Sequence, residues 1–153
     1  MDAQARLDDL IARINGYLKV KHLAPDTLNQ DFIRADSLPL ADMDRLTQDD
    51  CFNHAYQLCQ YADHIGFERA ELETITRWCE NSLNSIISSE IDDMSGEYLK
   101  YEIKVARIIK HNDLAEKINE WLLLAQGRLE PLKNREYNVR KKADILIEKG
   151  KRK

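Results

Sequence analysis

Nine apolar residues near the end of this chain recur at steps of three and four: Leu114, Ile118, Leu122, Ala125, Leu129, Leu132, Val139, Ala143 and Leu146. Only Glu136 breaks the row. A strand would put every second residue on one face, so this spacing reads as one long amphipathic helix. The spacing predicts a helix over 113–148, roughly 50 Å long, with Asn112 able to cap its start and a kink or short break at Pro131. Five Gly and three Pro in 153 residues leave few places to interrupt helices elsewhere. The expectation is an all-α chain of long amphipathic helices, forming a helical hairpin or bundle. Narrow apolar stripes on helices with 33% charged residues are usually buried in an oligomer.

The rest of the chain divides around turn chemistry. Leu7, Leu10, Ile11, Ile14 and Leu18 form one helical face from about Asp2 to Tyr17 or a little beyond, with Gly16 weakening its end. Residues 24–46, with Pro25 and Pro39, read as a connector that is either docked or mobile. Thr47 with Asp50 three residues on is a capping pattern. It opens a long helix whose seam is Ala55, Leu58, Ala62, Ile65, Leu72, Cys79, Leu83 and Ile86, with Arg69 and Thr76 as polar interruptions. Gly66 costs that helix roughly 1 kcal/mol relative to Ala. Asp92, Asp93, Met94, Ser95 and Gly96 mark the clearest break, and a further helix is expected over 97–110. Residues 1–46 thus read as an N-terminal helix and connector, a candidate docking arm, and 47–153 as a helical oligomerisation and nucleic-acid-binding domain.

Charge is distributed unevenly. From Arg128 to Lys153 ten basic side chains face four acidic ones, whereas residues 1–127 hold 13 basic against 23 acidic. Arg128, Arg135, Lys142 and Lys149 are spaced by seven, and Lys133 and Arg140 are also seven apart. These six cations flank the apolar seam, Lys141 adds to them, and Tyr137 is the one aromatic ring among them. One reading is pairing with acids on a facing helix, for which Asp49, Asp50, Glu68, Glu71, Glu73 and Glu80 are available. The other is a phosphate track, since cations every ~10 Å along a helix suit a flexible single strand and Tyr137 could stack a base. The candidate nucleic-acid-binding residues are therefore Arg128, Lys133, Arg135, Tyr137, Arg140, Lys141, Lys142 and Lys149.

Other chemistry is poorly served. Cys51, His54 and Cys59 lie near one another, but no second Cys/His pair completes a tetrahedral zinc site. His22, His64 and His111 have no partner arrangement. No phosphate-binding Gly loop and no nucleophile elbow occurs. Trp78 and Trp121 read as core or interface anchors. No metal, no cofactor and no enzymatic activity is expected. Three cysteines, an odd number, suit a reducing compartment, and the absence of a long apolar run or a secretory pattern suits a soluble cytoplasmic protein.

The run Tyr101-Glu102-Ile103-Lys104, then Asp113 and Lys117, then Trp121-Leu122-Leu123, then Leu129, Leu132-Lys133, Arg135, Tyr137, Val139-Arg140 and Gly150 resembles the UvsY-type phage recombination mediator family. Ala55, Leu58, Tyr61, Ile65, Glu68-Arg69-Ala70 and Leu72-Glu73 are similar in type and order, so the resemblance spans about 50–150. It implies a small all-helical protein that assembles into a ring, binds single-stranded DNA and helps a RecA-like recombinase load onto strands covered by single-strand-binding protein. It implies a non-enzymatic DNA recombination and repair factor acting in the host cytoplasm. One departure matters. The family's type member carries a Leu-Lys-Ala-Arg-Leu motif in the long helix, where this chain has Asn81-Ser82-Leu83-Asn84-Ser85-Ile86, without a cation. DNA contact would then rest on Arg69, Arg77 or the C-terminal stripe. Removing the charges of Arg135, Arg140 and Lys142 is expected to weaken single-strand binding without unfolding. The alternative is a helical oligomeric structural or adaptor protein, such as a phage scaffold or packaging factor or a host-protein inhibitor, whose basic helix pairs with acidic protein surfaces.

Overall fold

A computed structural model describes residues 2–94 and 98–153. The described residues form no strand; the elements are α1 (Ala3–Val20), α2 (Gln30–Asp36), α3 (Leu40–Met43), α4 (Gln48–Glu90), a 3-10 turn (Ile91–Met94), α5 (Tyr101–His111) and α6 (Asp113–Lys151). The chain is therefore all-α. Its contacts group it into two compact units, Met1–Ile11 with Glu71–Leu129 and Ala12–Ala70 with Glu130–Lys153.

Helix starts follow local chemistry. At α4 the Asp50 N–H donates to Thr47 Oγ1 at 3.1 Å and the Thr47 N–H donates to Asp50 Oδ2 at 3.1 Å, a reciprocal capping box. The Thr47 backbone N–H, and after it the Thr47 hydroxyl, hold the Asp50 carboxyl below its usual range. At α6 the Ala115 N–H donates to Asn112 Oδ1 at 3.0 Å, and the Asn112 amide also reaches Glu90 Oε1 at 2.6 Å. Helix α1 runs through Gly16 and ends later. Leu23 N–H bonds Leu18 O and His22 N–H bonds Lys19 O, with His22 at φ 56°, which is the double closure of a Schellman end on a residue other than glycine.

Three expectations are corrected. Residues 24–46 are not one irregular connector. Asn29 caps α2 by accepting from the Phe32 N–H at 3.1 Å, and Phe32, 1% exposed, stacks on Tyr61 at 6.2 Å between ring centroids. Helix α5 begins at Tyr101 rather than at residue 97, because Lys100 is extended at ψ 148°. Ser95, Gly96 and Glu97, on which that expectation partly fell, lie outside the described residues. Of the kink or short break expected at Pro131, the break does not occur, since α6 is continuous through it. The carbonyl that the proline ring deprives of a donor belongs to Gly127, which is exposed and has open space where a Cβ would stand.

In the second unit the first part of α4 and the last part of α6 run antiparallel. Gln48 Nε2 donates to Gly150 O at 3.0 Å at one end, and Arg69 Nε donates to Glu136 Oε2 at 2.7 Å further along. Between them Ala55, Leu58, Ala62 and Ile65 pack with Val139, Ala143 and Leu146. The two polar interruptions visible in the sequence, Arg69 and Glu136, thus meet each other. Pairing them in this register spares both charges from facing an apolar neighbour, whereas a shift by one turn would leave each unpaired. Gly66 makes the room, for a Cβ there would stand 2.9 Å from Glu136 Oε1. Gly150 does the same at the helix end, where a Cβ would lie 2.7 Å from the Phe52 ring.

The other unit has its own core of Cys79, Leu83, Ile87, Ile108, Ala115 and Ile118. Trp78 and Trp121 pack against it with ring centroids 6.4 Å apart, so both act as apolar anchors. No helix of the described residues is long and apolar enough to cross a membrane.

Candidate nucleic-acid interface

Most of the candidate cations sit on α6 within the second unit, and that helix separates them by direction. One flank carries Arg135, Lys142 and Lys149. All three meet acids of residues 30–46. Asp36, at the end of α2, takes both the Arg135 guanidinium and the Lys142 ammonium, the latter at 2.8 Å. The Lys142 ammonium also donates to the Asp36 backbone carbonyl at 3.0 Å. Lys149 pairs with Asp44 just after α3. Lys153, beyond the helix, donates to the carbonyls of Met43, Asp44 and Leu46.

Burial decides how strongly this flank is tied down. The Asp36 side chain is only 7% exposed, and Arg135 and Lys142 are about 40% exposed. Burial and the neighbouring Arg135 charge pull the Lys142 ammonium below its usual pKa. One carboxylate between two cations leaves a positive remainder there. The Asp44–Lys149 pair is more open, with Asp44 81% exposed, yet Lys149 and more weakly Lys153 hold its carboxyl below the usual range.

The outer face is different. Lys133, Tyr137 and Lys141 are each one turn apart and all are exposed. Tyr137 is 63% exposed, and the Lys141 ammonium lies 5.4 Å from its ring centroid. Among the described residues none of these three side chains makes an ion pair or a side-chain hydrogen bond. Arg140, beside this face, is shared between Asp63 at 3.2 Å and Glu136 at 3.4 Å. Arg128 is exposed at the end of the other unit and makes no ion pair among the described residues.

The eight candidate residues therefore fall into three groups. Lys133, Tyr137 and Lys141 form one open row. Arg135, Lys142, Lys149 and Arg140 are engaged with carboxylates. Arg128 belongs to the other unit. The acids that engage them, Asp36, Asp44, Asp63 and Glu136, are not those that the sequence offered as partners. Asp50 is used in the α4 cap and Glu68 lies 3.1 Å from His64, which gives that histidine the partner its sequence neighbours did not reveal. Asp36 lies 99 residues from Arg135 in the chain, so no local pattern could have signalled the pair.

Among the described residues no group of three His, Cys, Asp or Glu side chains comes together as a metal site. Cys51 and Cys79 are buried core residues, and Cys59 packs beside the core of the second unit. Burial raises the Cys79 thiol above its usual pKa, which favours the inert protonated form. Compared with protein-family models, curated protein sequences and solved structures, the chain gives no match.

Proposed function

We propose that this chain is a non-enzymatic DNA recombination and repair accessory factor of the phage mediator type. It binds single-stranded DNA and helps a RecA-like recombinase load onto strands covered by single-strand-binding protein. The observation that carries this reading is the open row on α6, where the exposed Tyr137 ring stands between the unpaired cations Lys133 and Lys141. A base can stack on such a ring while the cations one turn to either side take phosphates, an arrangement tolerant of sequence. The resemblance of residues 50–150 to the mediator family supplies the recombinase and the single-strand-binding protein as partners. On this reading the protein works as a homo-oligomer, a ring, in the host cytoplasm. Exposed apolar side chains such as Tyr17, Val20 and Leu23 in one unit, and Leu123 and Leu124 in the other, offer surface for assembly.

A second reading is favoured by a specific observation. Arg135, Lys142 and Lys149 already engage acidic protein groups, as a helical adaptor or scaffold with a basic docking helix would. Salt titration of fluorescence anisotropy separates the two readings, using a labelled single-stranded oligonucleotide with a duplex as control. The mediator reading expects preference for the single strand and a log–log salt slope of about −0.7 per phosphate contacted. Absence of binding at low salt rejects it in favour of the adaptor. A protein that binds the strand should also speed recombinase loading onto covered DNA.

A further inference from the structure

We propose that the segment from Asp36 to Leu46 is an internal competitor for the DNA backbone: it covers a second, latent phosphate-binding row, Arg135, Lys142 and Lys149, and is displaced when a strand occupies that row. The inference rests on the nucleic-acid reading above and adds a regulated site to it.

Four observations carry it. First, the acids are placed as phosphates would be. Cations seven residues apart on a helix repeat every ~10 Å, and each of the three is met by an anionic oxygen of this one segment. Carboxylate and phosphate oxygens accept the same charge-assisted hydrogen bonds from guanidinium and ammonium groups. Second, the cover is under-charged. Asp36 and Asp44 supply two carboxylates against Arg135, Lys142 and Lys149, and Lys153, hydrogen-bonded to backbone carbonyls, adds a fourth positive charge near Asp44. A phosphodiester strand would neutralise that remainder, which the arm does not.

Third, the covering segment is seated shallowly: Leu38, Met43 and Leu46 touch the core but are only partly buried. Helix α3 has four residues, none of them buried, and no side-chain cap, and Leu40 is 78% exposed. By contrast α2 is anchored by the buried Phe32 and Ala35. Residues 37–46 can therefore let go while α2 keeps its seat, which leaves only the Asp36 carboxylate, at the last position of α2, to be turned off Arg135 and Lys142. Fourth, an open cleft separates part of the arm from α6. The cleft, of about 210 Å³, is lined by Leu38, Leu40, Met43, Ile145 and Leu146, with Asp36 and Lys142 at its edge.

The device makes the open row the first contact and the covered row a second one, available once a strand is near enough to compete. The test is a comparison of the full-length wild-type chain with Asp36→Asn/Asp44→Asn, using labelled oligodeoxythymidylate and anisotropy at several salt concentrations. The variant is expected to bind about tenfold more tightly at low salt, because no carboxylate of the arm competes with the strand for the three cations. A variant equal to a binding wild type in affinity overturns the latent row and leaves the open-row reading standing. Failure of both proteins to bind at low salt overturns the two together.

Hydrogen exchange of the wild-type chain gives a second arm that needs no substitution. Saturating oligonucleotide should speed amide exchange over 37–46 while 50–65 stays protected. Unchanged or slower exchange over 37–46 overturns the displacement.

Discussion

The two sides of helix α6 both carry a row of cations, at steps of seven on one side and two turns apart on the other, yet they meet different surroundings. On one side Arg135, Lys142 and Lys149 face Asp36 and Asp44; on the other Lys133 and Lys141 bracket an exposed tyrosine. The first set spends its charge on holding residues 30–46 in place, and the second leaves its charge to solvent. The lesson is that a basic stripe is not one functional unit. What a cation can bind is set by what stands opposite it, and here a short acidic arm divides one helix into a tethering flank and an open face.

That contrast can be broken, and the largest expected effect is at its most buried point. Asp36→Ala should lower stability by about 2 kcal/mol in urea titration, because it leaves Arg135 and Lys142 facing each other, with solvent screening reducing the full penalty of a buried pair. An unchanged midpoint would mean the tethering flank tethers nothing. Glu136→Ala comes next, at about 1–2 kcal/mol, since Glu136 is 16% exposed and accepts from both Arg69 and Arg140. It should also weaken the register between α4 and α6, seen as broadened thermal unfolding.

A pH series sharpens the comparison at the more exposed end. Asp44 is held below its ordinary value of 3.8 by Lys149, so its stabilising contribution is present above that value and is lost as pH falls through the lower folded pKa. Asp44→Asn should therefore be less stable than the wild type at pH 7, and the two should converge in strongly acidic solution. A gap that persists there would assign the effect to something other than the Lys149 pair. Smallest of all should be Lys133→Ala/Lys141→Ala, whose stability is expected to stay within about 0.5 kcal/mol of the wild type. A larger loss would show that the open face is structural after all.

Much of the fold was legible because it rests on local rules. The Thr47–Asp50 box, the Asn112 cap, the seam from Ala55 to Ile65 and the row from Val139 to Leu146 are all patterns within a few residues of one another. Arg69 and Glu136 were visible as interruptions too, although their pairing was not. The short helices of 30–43 were hidden because α2 is only seven residues long and α3 four, too short for apolar periodicity to register. Asn29, with Asp31 behind it, was the one available signal of α2. For the candidate site the sequence showed which side chains carry charge and how they recur, but nothing of their partners. Asp36 and Arg135, or Asp44 and Lys149, are brought together only by the packing of the arm on α6.

The most direct measurement compares Lys133→Ala/Tyr137→Ala/Lys141→Ala with the wild type in binding a labelled single-stranded oligonucleotide across a salt series, with circular dichroism confirming the helical fold of both. Loss of about 1–3 kcal/mol of binding from the missing ring, and a log–log slope shallower by about 1.4 from the two missing cations, is the predicted result. Equal affinity and equal slope in the two folded proteins would contradict the assignment of the open face of α6 to the DNA strand.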